Sequence, residues 1–192
     1  MLHAAVRARL REVLDPDPAP EPAEGDRLAA VLAPLVLAPE PALIFTERAA
    51  DLSRHAGEVS FPGGLQDPGE TLVETALREA HEEIGLDPSL PDLVGALPAV
   101  HTTVSGILVV PFLGMLDRVP ALTVSDGEIA EVLTVPVARL ADLERPMELA
   151  RPGGDTWHGW AYELGGHTIW GATGWMLHGL LELLRKETTW TR

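Results

Sequence analysis

Apolar positions along the chain switch several times between helical and strand-like spacing. Val6, Leu10, Val13 and Leu14 recur at helical intervals between Arg7, Arg9 and Arg11. This predicts a short amphipathic helix over residues 2–14. Residues 15–26, DPDPAPEPAEGD, alternate proline with alanine or acids and hold no large apolar side chain. Each proline removes an N–H donor and fixes φ, so this stretch predicts a stiff, extended linker. Ala29–Val36 and Ala42–Thr46 predict two strands, parted by the turn signal Ala38-Pro39-Glu40-Pro41. Thr71–Ile84 has the clearest helical period, and Gly85 stands where helices commonly end. Leu93–Val100, Gly106–Leu116 and Ile129–Val135 predict further strands, with a short helix after Pro136. Trp157–Leu164 and Thr168–Trp170 predict short strands. Gly174–Lys186 predicts a last helix, with Trp175, Leu177, Leu180, Leu181 and Leu184 on a broad apolar face. There is no regular strand–helix–strand alternation and no internal repeat. The expected fold class is therefore α/β in the α+β sense, a mixed sheet with helices on its faces. At 192 residues one main domain is expected. Its bounds are taken as 27–187, preceded by the helix and linker of 1–26 and followed by a tail, 188–192.

Composition narrows the function. Fourteen Lys and Arg stand against 29 Asp and Glu, for a net charge of −15. That excludes the basic footprint of a nucleic-acid binder and argues against an anionic membrane surface. Cysteine is absent, which excludes disulfides, thiolate zinc sites and cysteine nucleophiles. Arginines interrupt the N-terminal apolar residues, so there is no signal-peptide core, and no apolar run approaches the ~20 residues of a bilayer span. A cytoplasmic location is expected. The negative charge is unevenly spread. Residues 15–26 and residues 64–86 together hold ten of the fifteen net charges.

The second of these segments includes the predicted helix 71–84. At about 100° per residue, with Val73 at zero, Leu77, Ala80 and Ile84 fall within roughly 40° and form an apolar stripe. Glu79 and Glu83 lie together at roughly 240° and 280°, at the edge of that stripe, with Glu82 near 180°. His81, about 80° from the stripe, is expected to be exposed. Like charges four residues apart weaken a helix. Clustered carboxylates at a half-buried edge suit hard divalent cations, although a solvated acidic surface would read the same way. Gly63-Gly64, ahead of the helix, can bring bare backbone close to a ligand. The tryptophans, among them Trp157, Trp160, Trp170 and Trp175, are expected to anchor the core.

Gly64, five residues, Glu70, seven residues, then Arg78-Glu79-Ala80-His81-Glu82-Glu83-Ile84-Gly85-Leu86 have the full spacing of the Nudix box. The chain is similar to Nudix hydrolases in this respect. Upstream, Leu43-Ile44-Phe45-Thr46-Glu47-Arg48, Leu52, His55, Gly57, Val59 and Phe61-Pro62-Gly63-Gly64 resemble the additional motif of the coenzyme A pyrophosphatase branch. Ala49 stands where that branch usually has Ser, and Glu58 where Gln is common. Ser105-Gly106, Val110-Pro111, Glu128-Ile129, Val135-Pro136 and Ile169–Thr173 also look like that branch, so the likeness covers about residues 27–185.

This resemblance implies a Nudix-type α/β/α sandwich, with a mixed sheet between helices, and Mg2+ or Mn2+ as cofactor. It implies Glu79 and Glu83 as metal ligands. Glu82 would be a further ligand or help deprotonate the attacking water, and the Gly63 carbonyl would complete the metal shell. Glu70 and Arg78 would brace the box by pairing. Glu128, in a loop before a strand, is the expected further acid, as catalytic base or ligand, with Glu131 competing for the role. Arg48, His55 and the bare backbone at Gly64 would meet the substrate, whereas Arg54 reads as well as a surface charge. The implied reaction is metal-dependent hydrolysis of the diphosphate of coenzyme A and its derivatives, giving 3′,5′-ADP and 4′-phosphopantetheine or its acyl form. ADP-ribose or another nucleoside-diphosphate compound is the alternative substrate. A nucleotide-binding regulator on the same fold is the non-enzyme alternative. The expected partner is a small molecule, not nucleic acid or membrane, and the expected state is monomer or homodimer.

Overall fold

A computed structural model describes residues 2–50, 57–102, 106–124, 127–150, 154 and 156–191. Its centre is a pair of long strands, β1 (Arg27–Val36) and β7 (Ile107–Leu116), which run parallel in continuous register from Arg27↔Ile107 to Val36↔Leu116. Both are almost wholly apolar because both of their faces are covered. Along β1, Ala29, Val31, Ala33 and Leu35 enter one hydrophobic cluster, while Ala30, Leu32 and Val36 enter the other.

The remaining strands of this sheet are antiparallel additions. β2 (Ala42–Arg48) pairs with the end of β1, and β4 (Gly63–Leu65) pairs with its beginning. Pro34 has no N–H to donate, and it falls where the partner of β1 changes from β4 to β2. β3 (Val59–Ser60) and β8 (Ile129–Pro136) flank β2. β5 (Asp92–Ala96) and β6 (Val100–Thr102) both lie on β7. The pattern predicts one strand over 93–100; the structure has two. Pro98 stands between them and cannot donate to the ladder.

One face of the sheet carries α2 (Leu72–Ile84). The other carries α1 (Leu2–Val13), α3 (Val137–Leu143) and α4 (Gly171–Glu187). With them lies a small antiparallel sheet of β9 (Glu144–Ala150), β10 (Thr156–Leu164) and β11 (His167–Ile169). The result is a mixed α+β sandwich. Among the described residues no helix is long and apolar enough to cross a membrane.

β9 is absent from the hydropathy pattern. Its residues alternate between exposed and half-buried and include Pro146, so no apolar period marks it. Glu144 fastens this sheet to α4. It accepts bonds from Tyr162 at 2.8 Å and Arg185 at 2.6 Å, and its carboxylate lies 2.9 Å from Nδ1 of His178. Two of the tryptophans differ from their expected role, while Trp160 packs against the core as expected. Trp170 and Trp175 are 40% and 41% exposed, at the solvent side of the start of α4. Trp160 is partly buried and stacks on His178 at 4.0 Å. The apolar face of α4 is completed by Leu177, Leu180, Leu181 and Leu184 without Trp175.

α1 is part of the core. Val6, Leu10 and Leu14 are buried among residues of the sheet and α4, while Val13 faces solvent. Arg7 meets Asp92 at 3.2 Å and Asp117 at 2.6 Å, and Arg11 also pairs with Asp92. Leu10→Ala should therefore cost about 2–5 kcal/mol in urea unfolding, while Val13→Ala stays within about 0.5 kcal/mol. Equal and small effects would show that the helix contributes nothing to the folded domain.

Candidate active site

α2 begins with a reciprocal cap. The Thr71 hydroxyl accepts from the Glu74 amide at 3.2 Å, and the Glu74 carboxylate accepts from the Thr71 amide at 2.7 Å. Thr-x-x-Glu ahead of an apolar run is the sequence sign of this capping box. The helix ends on Gly85 in the left-handed conformation, φ 64°, which glycine adopts without a Cβ clash. Both ends of the helix are thus defined locally, and its carboxylates are fixed in phase.

The face that α2 buries is rotated from the one the large apolar residues suggest. Thr75, Ala76, Ala80, Glu83 and Ile84 are buried, whereas Val73 and Leu77 are only partly so. Ala76, Ala80 and Ile84 pack in one cluster with Ala30 and Leu32 of β1, and the bare Gly64 of β4 leaves room beside them for the Glu79 carboxylate. A Cβ on Gly64 would lie 2.5 Å from the Glu79 carboxylate, and one on Gly63 would lie 2.4 Å from the Ala30 carbonyl oxygen. Glu83 consequently lies inside the interface, 8% exposed, and accepts from the Gly63 amide at 3.2 Å. It is this amide, not the carbonyl, that the structure sets on Glu83.

Burial pushes Glu83 up to about 7, and the neighbouring charges of Glu79 and Glu128 add to it. The Gly63 amide and the Arg48 guanidinium act the other way. Burial also raises Glu79, against the pull of Arg78. Two carboxylates crowded and desolvated in this manner are short of positive charge. Their all-oxygen donors, set against a backbone kept bare at Gly64, fit a hard divalent cation. Glu79 and Glu83 are the residues that would hold it.

Arg78 links the other acids. It donates from Nε to Glu70 at 2.7 Å and from Nη2 to the same carboxylate at 3.1 Å. Nη1 donates to Glu79 at 2.8 Å and to Glu82 at 3.0 Å, and Nη2 reaches the Leu65 carbonyl at 3.2 Å. Glu70 is held at about 2, chiefly by Arg78, and also accepts from the Thr75 hydroxyl at 2.9 Å. Thr75 is a support that no spacing argument singled out. Glu82 is 57% exposed at the outer side of Arg78, and His81 is also exposed.

β2 and β8 bring two further groups to the same end of the sheet. Arg48 closes β2, opposite Ile129. Its Nε is buried and, among the described residues, has no hydrogen-bond partner. The Glu128 carbonyl accepts from the Ala49 amide at 2.8 Å, which holds this exposed acid where its charge reaches Glu83. Glu131 lies elsewhere. It is paired with Glu47 across the strands, on the side of the sheet opposite α2. His55, Arg54 and Ser105 lie outside the described residues.

The metal-free protein should be less stable at pH 8 than at pH 5.5. Between about pH 4.5 and 7 the folded state keeps a proton on Glu83 that the unfolded chain has released, so stability falls as pH rises through that window. The loss is at most about 3 kcal/mol. In chelator, Tm should drop from pH 5.5 to pH 8, and Mg2+ or Mn2+ at pH 8 should restore it. A flat profile without metal would place Glu83 in solvent.

Known proteins resemble this chain in sequence and fold. Residues 26–154 match the NUDIX domain. The chain is 38% identical over 159 residues to "Uncharacterized Nudix hydrolase NudL" of Cronobacter sakazakii, covering 80% of this chain and 81% of that one. It is 36% identical over 174 residues to the protein of the same description in Klebsiella pneumoniae, covering 88% of each. Among solved structures, a MutT/nudix family protein from Enterococcus faecalis superimposes with a TM-score of 0.56 at 17% identity, covering 88% of this chain and 64% of that one. The E. coli ORF135 protein does so with a TM-score of 0.51 at 17% identity, covering 86% of this chain and 96% of that one. The capped box helix, the glycine strand beneath it and this breadth of similarity lead to one conclusion: the chain belongs to the Nudix hydrolase family.

Proposed function

We propose that this Nudix hydrolase cleaves the diphosphate of coenzyme A and its derivatives, giving 3′,5′-ADP and 4′-phosphopantetheine or its acyl form. The observation that carries the reading is the convergence of Glu83, Glu79, Glu128 and Arg48 at one end of the sheet. The choice of coenzyme A rests on the likeness of residues 43–64 to the coenzyme A pyrophosphatase motif. That segment supplies β2, β3 and β4, and with them Arg48 and the two glycines.

Glu79 and Glu83 would hold Mg2+ or Mn2+, with Glu82 and the Gly63 carbonyl as further candidate donors. When bound, the ion neutralises phosphate oxygens and lowers the pKa of the attacking water. Glu128, exposed and close enough to act on Glu83, takes the water's proton in this scheme; Glu82 is the second candidate. The water oxygen bonds to phosphorus as the bond to the bridging oxygen breaks. Arg48 offers an unspent donor to the phosphates, and His55 is the further candidate contact. The bare backbone of Gly64 leaves room beside Glu79. The Glu70–Arg78 pair holds Glu79 in place and, with Glu70 ionised down to about pH 2, does not titrate in the working range.

Incubation with Mg2+ and, in parallel, coenzyme A, ADP-ribose and a diadenosine polyphosphate, read by mass spectrometry, tests the substrate. Coenzyme A should be turned over with the highest kcat/KM. Preference for either of the others would move the enzyme to another substrate class. Tight binding of a nucleotide without any turnover, seen by calorimetry, would make it a binding module.

A further inference from the structure

Glu47 and Glu131 present an electrostatic problem away from the box. They are register partners on adjacent antiparallel strands, β2 and β8. Their side chains share a face, because Phe45 and Leu133, two residues along each strand, both pack into the cluster opposite α2. Like charges directly opposite each other on one face are destabilising. A third group sits between them. His167, from β11 of the small sheet, places Nδ1 3.0 Å from Glu47 Oε1 and Nε2 4.0 Å from Glu131 Oε2. One ligand atom from each residue lies within 4.8 Å of the other two.

We propose that Glu47, Glu131 and His167 form a second cation site, for a divalent transition-metal ion, on the face of the sheet opposite the box helix. Zinc bound to nitrogen and carboxylate oxygen at about 2.0–2.2 Å separates its ligand atoms by roughly 3.4 Å. The donors, within 4.8 Å of one another, therefore need to close by up to about 1.4 Å, within the reach of side-chain rotation. The donor set selects the class of ion. One imidazole nitrogen with two carboxylates suits Zn2+, Mn2+ or Fe2+. Mg2+ and Ca2+ prefer oxygen alone, which is what Glu79 and Glu83 offer. Glu131 is 56% exposed, so an ion and its completing water have a way in. The three ligands come from three strands of two sheets. An ion there would offset the opposed carboxylates and fasten the small sheet to the main one.

The test is Zn2+ titration calorimetry and melting on the full chain, in excess Mg2+ to occupy the oxygen-only site. The wild type should bind one Zn2+ equivalent under these conditions and melt higher with it. His167→Gln and Glu131→Gln should each weaken that binding at least about a hundredfold and abolish the rise in Tm. Glu21→Gln, in the linker, should keep both. Glu131→Gln changes an exposed side chain and remains informative if His167→Gln fails to fold. No Zn2+ bound in Mg2+, or the same stoichiometry and affinity in both variants, would overturn the site. So would a loss of stability in His167→Gln with Zn2+ binding intact, which would leave only an ion pair.

Discussion

Glu83→Gln should reduce kcat/KM at least about a thousandfold without unfolding the protein, because a bound cation supplies several kcal/mol to a phosphoryl transition state and each 1.4 kcal/mol or so is tenfold in rate. The replacement keeps the volume of a buried side chain and retains an oxygen for the Gly63 amide. It removes a charge that the fold tolerates poorly, since burial raises Glu83 to about 7. In chelator at pH 8 the variant should therefore melt no lower than the wild type, and its Tm should no longer respond to Mg2+. This pairing of outcomes separates a functional carboxylate from a structural one. A carboxylate kept only for packing would show the reverse, with activity largely retained and stability lost.

Gly64→Ala should lower kcat/KM by about a hundredfold, because displacing a catalytic group by about 1 Å costs on that order. The new Cβ would stand 2.5 Å from the Glu79 carboxylate, which must move. Arg78, already bonded to that carboxylate at 2.8 Å, limits where it can go. Gly179→Ala is the matched control. A Cβ there meets nothing within 4 Å inside α4, and the change should stabilise the helix by up to about 1 kcal/mol with full activity. Wild-type rates in Gly64→Ala would mean that Glu79 does not work in the position it occupies beside β4.

The box helix and the phase of its carboxylates are legible in the sequence because they are local. Spacing sets Glu79, Glu82 and Glu83 in phase, and Thr71 and Gly85 mark the ends of α2. What covers a helix is a tertiary matter. The wheel centres on Val73 and Leu77, yet α2 buries Ala76 and Ala80 against the small and branched residues of β1. Small residues carry little hydropathic signal, and so the burial of Glu83 did not show. The proline-rich connection after it makes α1 read as an appendage, although its apolar face is buried in the core. Glu128 lies before β8, and the register shift between Glu47 and Arg48 breaks the alternation there, so the strand period does not place Glu128 relative to Glu131. β9 left no trace because an exposed strand needs no apolar period. Trp175 falls on the apolar face of the last helix by its spacing, yet it is 41% exposed while Leu177, Leu180, Leu181 and Leu184 are buried.

The negative charge also divides by place. Asp15, Asp17, Glu21 and Glu24 are exposed in the connection after α1, whereas Asp26 meets His101 at 2.8 Å and the acids of residues 64–86 are organised around Arg78 and the buried Glu83. An anionic protein of this kind can accept a diphosphate once a cation stands between the two. The proposed reaction is water-driven, metal-dependent cleavage of that diphosphate in coenzyme A. Hydrolysis of coenzyme A in 18O-labelled water with Mg2+, followed by mass spectrometry of both products, tests it most directly. The expected result is 3′,5′-ADP and 4′-phosphopantetheine, with one labelled oxygen per cleavage in the phosphate of one product and no reaction in chelator. Intact coenzyme A beside hydrolysed ADP-ribose, or cleavage that proceeds equally without metal, would contradict it.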